Sequence, residues 1–519
     1  MSNIKNRKSI ASLIVFTIGI MAVLYYIVVA QKVEFDSDFT DTIIWAEAML
    51  TGNGLFDKTM NYAYTLPFGG SLLMAPFVAI FGVGYTAHAL GFILFLAIFV
   101  FALYKMLRGM EFSANEAMTA SGIILLLSLA TKNTRMIMWG HVIHYSLGLL
   151  FVIIAMALYS QIDVSDLKNE KKKIVVLAVL TALFCTNGLT TILFFAIPFY
   201  GALLTERFIK VDEELFSKDN INSIIITAIC GASGMIGFVV SKVLQRGVTT
   251  VYDGIFKKIT SWQSWVWDIE DRVRCMLVVT AGQIDSEVAM ESFSGIRIMF
   301  MAFYGFVIIF VPLIAIFTYK RMTNRTIRLF FIAYYILLFA TLFIYDFSSA
   351  RGTAHRLVGL YMTAAMCTVI YMVWLIKDKK FSRYGFVIVL VLIGASLFCC
   401  YSVAGLRGQN RYEKLAKVLE ENNLKYGYAE YWSAQVTTVL SGSKVEVCPI
   451  DVNEGGAVTP RLYNVRTWQF DSREGVDRYF AFLSSWEKDT VKDTIGKEAT
   501  EVIPFDEDGY ILVFDHNIF

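Results

Sequence analysis

The sequence predicts an all-α polytopic membrane protein of about eleven transmembrane helices, closed by a small extracytoplasmic α/β domain. Three observations carry this. Of 519 residues, 56% are hydrophobic and only 17% are charged, against about 25% charged in an ordinary soluble domain. The apolar residues fall in runs of about 20, the length that crosses a hydrocarbon core of roughly 30 Å. When those runs are threaded back and forth, the basic clusters at 5–8, 105–108, 168–173, 320–328 and 377–383 all fall on one side, as the positive-inside bias requires.

The first run, 10–30, follows Lys5, Arg7 and Lys8. It is too long for the apolar region of a signal peptide, so it reads as an uncleaved helix leaving the cytoplasm. A polar, aromatic stretch from Gln31 to Pro67 follows outside, then a short apolar segment at 68–83 with Pro76 inside it, which reads as juxtamembrane or re-entrant. Further spans are expected near 85–107, 115–132 and 141–160. The region 174–204 is long for one helix and is interrupted at Asn187-Gly188; a broken hairpin with both ends cytoplasmic keeps the alternation intact. Spans near 223–243, 297–318, 329–345, 357–376 and 384–403 complete the set. Between 244 and 296, Trp262, Trp265 and Trp267 suit a helix lying at headgroup level. The cell membrane is thus the expected location, with a cytoplasmic N-terminus and an extracytoplasmic C-terminal domain.

The composition changes near 404, which divides the chain into a transmembrane domain, 1–403, and a soluble domain, 404–519. In the latter, 411–423 reads as an amphipathic helix, 424–431 as a strand, 432–442 as a short helix, 444–452 as a strand, 472–488 as a helix and 509–516 as a closing strand. Alternating helices and strands suggest an α/β sheet. The seven cysteines contain no CxxC, so neither a zinc site nor a disulfide framework is indicated. Cys399 and Cys400 fit either buried thiols or an acylation site. Phosphate-binding glycine loops and nucleic-acid-binding basic strips are absent, so nucleic acid is not an expected partner.

The most informative segment is FDSDFTDTIIWAEAMLTGNG, 35–54, just outside the first helix. Asp36, Asp38 and Asp41 cluster there. Carboxylates beside a membrane must be hydrated, paired or metal-bound. One reading makes them a solvated loop with a helix cap; the other makes them a site. The order of features resembles the GT-C superfamily of glycosyltransferases, which draw sugars from polyprenyl phosphate and include protein mannosyltransferases and lipid A aminoarabinose transferases. WAEAMLTGNG resembles the family's first external helix and APFVAIFG its later segment, over about residues 10–110. The resemblance implies a GT-C-like membrane domain and an inverting transfer from a polyprenyl-phosphate-linked sugar to a glycan, lipid or protein acceptor, among membrane lipids. It places Asp38 at the catalytic position, with Asp41 or Asp36 as a second acidic contact. An Asp there could take the acceptor proton or hold a divalent metal such as Mg or Mn.

Other candidates are cationic. Many relatives carry a further acid where this chain has TRMIMWGHVIHYSLG, with Arg135, His141 and His144. The two histidines, three apart, share a helix face. They could bind metal together with Asp38, donate to the sugar, or be packed and hydrogen-bonded. Arg351, His355 and Arg356 in DFSSARGTAHRLVGLY lie at the outer surface, where relatives hold the lipid phosphate; the arginine fork suits phosphate, and snorkelling to headgroups is the alternative. Lys58 is a further phosphate candidate. A non-catalytic or transport protein for lipid-linked sugars is the competing reading, but it calls for ionisable groups near mid-span, where the sequence has few. Tyr426, Tyr428, Tyr431, Trp432 and Trp468 could stack on sugars or fill the domain core.

Overall fold

The computed structural model describes residues 2–52, 54–209, 216–251, 258–281, 287–348, 353–378 and 380–519, with the backbone alone for 2–8. The chain forms two compact units. One comprises Met1–Ile27, Phe95–Val243 and Gly254–Leu406; the other comprises Val28–Leu94, Leu244–Asp253 and Arg407–Phe519. The C-terminal sheet therefore shares its unit with the segment around Asp38, a grouping that differs from the expected division at 403.

Among the described residues, eight helices are long and apolar enough to cross a membrane: Ser9–Glu34, Tyr85–Gly109, Leu189–Ile209, Lys218–Leu244, Phe293–Arg321, Arg325–Phe347, Ala354–Lys377 and Ser382–Ala404. The pair Ala114–Leu127 and Lys132–Trp139, bent by 118°, adds a ninth if it is one span. The helices His144–Tyr159 and Lys171–Cys185, of 16 and 15 residues, fill the two remaining expected positions. At 1.5 Å per residue each is only about 23 Å long, shorter than the bilayer core. Helix Gly70–Phe81 is the expected short segment, with Pro76 inside it.

Polar contacts in the membrane unit sort its helix ends. At one end, Lys173 donates to Gln161 O at 2.7 Å and Asn222 to Val164 O at 2.7 Å. Arg325 donates to Tyr159 Oη at 2.7 Å, and Arg328 reaches Glu206 at 2.9 Å. Arg321 pairs with Asp378 at 3.0 Å and Lys377 with Glu116 at 2.9 Å. The basic segments thus gather at one end. The start of Lys171–Cys185 and the end of Ile197–Ile209 both lie there, so 171–209 goes in and returns, broken at Thr186–Gly188, where Gly188 takes φ +83. This is the expected broken hairpin. Elsewhere in this unit Gly19 and Gly122 bring helices Ser2–Tyr25 and Ala114–Leu127 together: a Cβ on Gly122 would lie 2.5 Å from Val15 O. Small residues permit this backbone approach where lipid supplies no hydrophobic drive.

Helix Trp262–Ala281 is the expected tryptophan-rich surface helix. Trp262, Val266, Ile269 and Val273, spaced by three or four, are all exposed, forming an outward apolar stripe of the kind that lies in a membrane interface.

The second unit holds a six-stranded sheet of β1 (Tyr426–Glu430), β2 (Glu446–Val452), β3 (Val458–Pro460), β4 (Tyr479–Ser484), β5 (Glu501–Asp506) and β6 (Gly509–Phe514). Its order is β3-β2-β1-β4-β6-β5, with β1 parallel to β2 and β4 and the other pairings antiparallel. The stretch 472–488, expected as a helix, is instead β4 followed by helix Ser485–Val491. The reason is position. Tyr479, Ala481 and Leu483 enter one core layer and Phe480 and Phe482 the other, so a central strand buried on both faces shows an unbroken apolar run rather than alternation. Ser484 then caps the next helix in a reciprocal box with Glu487. Helices Arg411–Glu421 and Tyr431–Leu440 supply Leu415, Leu419 and Ala434 to the second layer.

Candidate active site

The acidic turn is built locally first. Asp36 is extended and its carboxyl accepts from Asp38 N at 3.2 Å, capping the short helical turn Ser37–Thr40. The cap reading therefore describes Asp36. Asp41 opens helix Asp41–Thr51, where its charge meets the positive end of the helix dipole.

Long-range contacts within the same unit then fix the turn. Tyr431 Oη donates to Asp38 Oδ1 at 2.8 Å, and Ser37 Oγ donates to Tyr431 O at 2.6 Å. Thr40 Oγ1 lies 3.3 Å from Gln435 Oε1. Asn464 Nδ2 donates to Asp41 Oδ1 at 2.6 Å, while Asn464 Oδ1 accepts from Trp45 Nε1 and Ala63 N, both at 2.8 Å. Asn464 sits at φ +53, a conformation asparagine tolerates better than most residues. Burial pushes the Tyr431 phenol well up, and the Asp41 and Asp38 carboxylates push it further, so Tyr431 stays a donor.

These contacts separate two carboxylates only three residues apart. Asp38 is half-buried, and its Oδ2 has no protein partner among the described residues. Asp41 is wholly enclosed, at 0% exposure. Asp41 was expected beside Asp38 as a catalytic group; its enclosure and its bond to Asn464 give it the geometry of an anchor. Lys58 is exposed on the turn before the short strand Met60–Tyr62. Its neighbour Asp57 is bonded by Arg466 Nε at 2.7 Å, and Arg466 also reaches Glu47 at 3.0 Å. Burial would raise Asp57, but the bonds from Arg466 and Thr59 outweigh it and hold the carboxyl below its usual range.

In the membrane unit, His141 and His144 are both buried. The His144 ring lies 4.1 Å from that of Tyr145 and 6.0 Å from that of Phe194. His355 lies edge-on to Tyr145 at 6.4 Å, and the Arg356 guanidinium stands over the Tyr345 ring at 5.9 Å. His141, His355 and Arg356 all fall within electrostatic reach of His144. Four of the sequence candidates thus share one neighbourhood. Arg135 is engaged differently: buried, it donates to Leu129 O at 2.9 Å and stands over Tyr26 at 5.7 Å. Arg351 lies outside the described residues. The pair Arg272–Asp346, at 3.3 Å, and the buried Glu206 with its arginines escaped the sequence reading. So did Asn464 and the bond from Tyr431 to Asp38, for which no local motif exists.

Among the described residues, no group of three or more His, Cys, Asp or Glu side chains is arranged to hold a metal ion, so no preformed metal centre is assigned.

No protein-family model matches the sequence, and no curated protein matches it. Solved structures do. The chain is similar to ArnT from Cupriavidus metallidurans in the apo state, with a TM-score of 0.54 at 12% identity over 96% of this chain and 97% of that one. It is similar also to the same protein bound to undecaprenyl phosphate, with a TM-score of 0.51 at 11% identity over 96% and 97%. The likeness extends over nearly the whole chain: this is a multi-pass membrane protein with the fold of ArnT.

Proposed function

We propose that the protein is a membrane glycosyltransferase that moves a sugar from a polyprenyl-phosphate carrier to a glycan, lipid or protein acceptor at the extracytoplasmic face. The observation that carries the reading is Asp38: one carboxylate oxygen is fixed by Tyr431 and the other has no protein partner among the described residues, on the turn after the first membrane helix of an ArnT-like fold. The carrier follows from the undecaprenyl phosphate bound by ArnT. Orientation follows from the basic helix ends, which belong in the cytoplasm; the N-terminus is then cytoplasmic and the Asp38 unit is outside.

The reaction is a single inverting displacement. The acceptor hydroxyl oxygen bonds to the anomeric carbon as the carbon–oxygen bond to phosphate breaks. The phosphate leaves with the electron pair, and the hydroxyl proton passes to Asp38 Oδ2. Asp41 and Asn464 hold the turn. Lys58, exposed in the same unit as Asp38, is the cation proposed for the departing phosphate, and within the membrane unit Arg356, beside His355, supplies a planar fork of the kind that fits a lipid phosphate. His141 and His144 shape the neighbourhood of Arg356. Among the described residues no three donors are gathered to hold Mg or Mn.

Asp38→Asn keeps the shape and the bond from Tyr431 but removes the base. Loss of general-base assistance typically costs 10²–10⁴ in rate. Transfer from a polyprenyl-linked donor by the purified variant should fall by about that factor, with normal expression and melting. Full turnover by Asp38→Asn would make Asp38 a structural residue and end the proposal.

A further inference from the structure

A cavity of about 250 Å³ lies in the unit that carries the C-terminal sheet. Its walls include Glu47, Thr438, Glu446, Arg466, Trp468 and Gln469. The polar side chains of this wall are bonded to one another and to neighbouring residues. Arg466 spends its donors on Asp57, Glu47 and Thr51. Gln469 donates to Glu446 Oε1 at 2.8 Å and accepts from Arg466 N at 2.7 Å. Trp468 is 43% exposed, and the guanidinium groups of Arg466 and Arg473 stand 5.8 and 4.8 Å from its ring centroid.

Three groups remain unspent. Thr438 Oγ1 accepts from Val447 N at 2.9 Å, which leaves its own proton to donate. Trp468 Nε1 and Glu446 Oε2 have no protein partner among the described residues. Two donors and one acceptor on residues that line a cavity of this size match the vicinal hydroxyls of one sugar ring. The lining also carries two carboxylates against one guanidinium, which opposes an anion and admits a neutral or amine-bearing ring.

The cavity adjoins the acidic turn inside the same unit. Gln435 and Asn464 line it, and they are the side chains that reach Thr40 and Asp41. We propose that this cavity binds one sugar ring, uncharged or amine-bearing, of the acceptor glycan. That the ring belongs to an acceptor rests on the glycosyltransferase reading; that the cavity binds a sugar does not.

The test is saturation-transfer NMR on the full-length protein in detergent, titrated with glucose, glucosamine and glucose 6-phosphate. Glucose and glucosamine should saturate in the millimolar range or below, and glucose 6-phosphate should not. Glu446→Gln and Thr438→Val, both near-isosteric, should each weaken binding by about tenfold, the loss expected for one hydrogen bond to a ligand hydroxyl. Asp38→Asn should bind the sugars as the wild type does. Failure of both neutral and amino sugars to saturate, equal binding of the phosphorylated sugar, or wild-type affinity in both cavity variants would overturn the proposal. Turnover of a lipid-linked donor by Asp38→Asn is read separately, so the transferase reading can fail while the sugar titration stands.

Discussion

The basic end of the membrane unit and the acidic turn at Asp38 are both charge clusters, yet they are assembled in opposite ways. At the basic end, buried Glu206 is neutralised by arginines: Arg207 at 3.6 Å, Arg325 at 3.4 Å and Arg328 at 2.9 Å. Opposite charges from neighbouring helix ends meet there. At the acidic turn, three aspartates sit within six residues, and Asp38 and Asp41 accept long-range side-chain bonds from neutral groups, a phenol 393 positions away and an amide 423 positions away. Paired charge closes an end of the bundle. At the turn, neutral side chains fix one oxygen of Asp38, and its Oδ2 has no protein partner among the described residues.

The largest effect expected from breaking this contrast is at Glu206. Removing one partner of a buried ion pair costs about 3–5 kcal/mol because the remaining charges stay uncompensated. Glu206→Gln should therefore lower the melting temperature of the purified protein far more than Asp38→Asn does. Similar melting for the two variants would mean that solvent screens the Glu206 cluster and that the contrast is false.

The next effect is smaller and divides stability from turnover. Asn464→Ala removes three side-chain hydrogen bonds, taking one partner from Asp41 and leaving the Trp45 Nε1 and Ala63 N donors without theirs, at about 1–3 kcal/mol per buried donor left unsatisfied. Tyr431→Phe removes one bond to a half-exposed carboxylate and should cost about 1 kcal/mol or less. Turnover should order them differently in kind: Tyr431→Phe folds well and loses rate, whereas Asn464→Ala loses both. Thermal melts beside donor-turnover assays decide it. A Tyr431→Phe protein with full rate would show that the phenol does not orient the base.

These two clusters also mark what could be read from the sequence. Spans and the gathering of their basic ends were legible because membrane boundaries leave a compositional trace: Lys171–Lys173, Lys320–Arg328 and Lys377 mark one end, and Asn187-Gly188 marks the turn of the hairpin. The acidic turn stood out as a candidate because three aspartates follow an apolar run. Its internal division was not. Asp38 and Asp41 look alike in sequence, and only Tyr431 and Asn464 set them apart. A neutral side chain that donates one hydrogen bond across some 400 residues carries no periodicity or charge pattern. Strand β4 escaped for a different reason, since burial on both faces erased the alternation that would have announced it. The Ser484–Glu487 box was the local signal that the helix begins later.

The smallest effect concerns acid, and it sharpens the contrast by adding a titrating carboxylate to the Asp38 unit. Asp57 is partly buried, which alone would raise its pKa, but bonds from Arg466 and Thr59 more than offset this and hold it below its usual value. A carboxyl depressed in the folded state stabilises that state fully above its unfolded pKa, about 3.9 for Asp. The contribution is then lost as pH falls through the folded value. Arg466 stays charged throughout, so the change belongs to Asp57. Asp57→Asn should be less stable than wild type at neutral pH, and the gap should narrow as pH is lowered below about 4. Other carboxylates titrate in that range, among them Asp506 with Arg411, but they are common to both proteins and cancel in the difference. Melting temperatures of the pair measured from neutral pH downward give the result directly. A constant gap across the range would mean that Asp57 contributes through packing rather than through its bond to Arg466, and that the link from Arg466 to the segment 47–57 is not electrostatic.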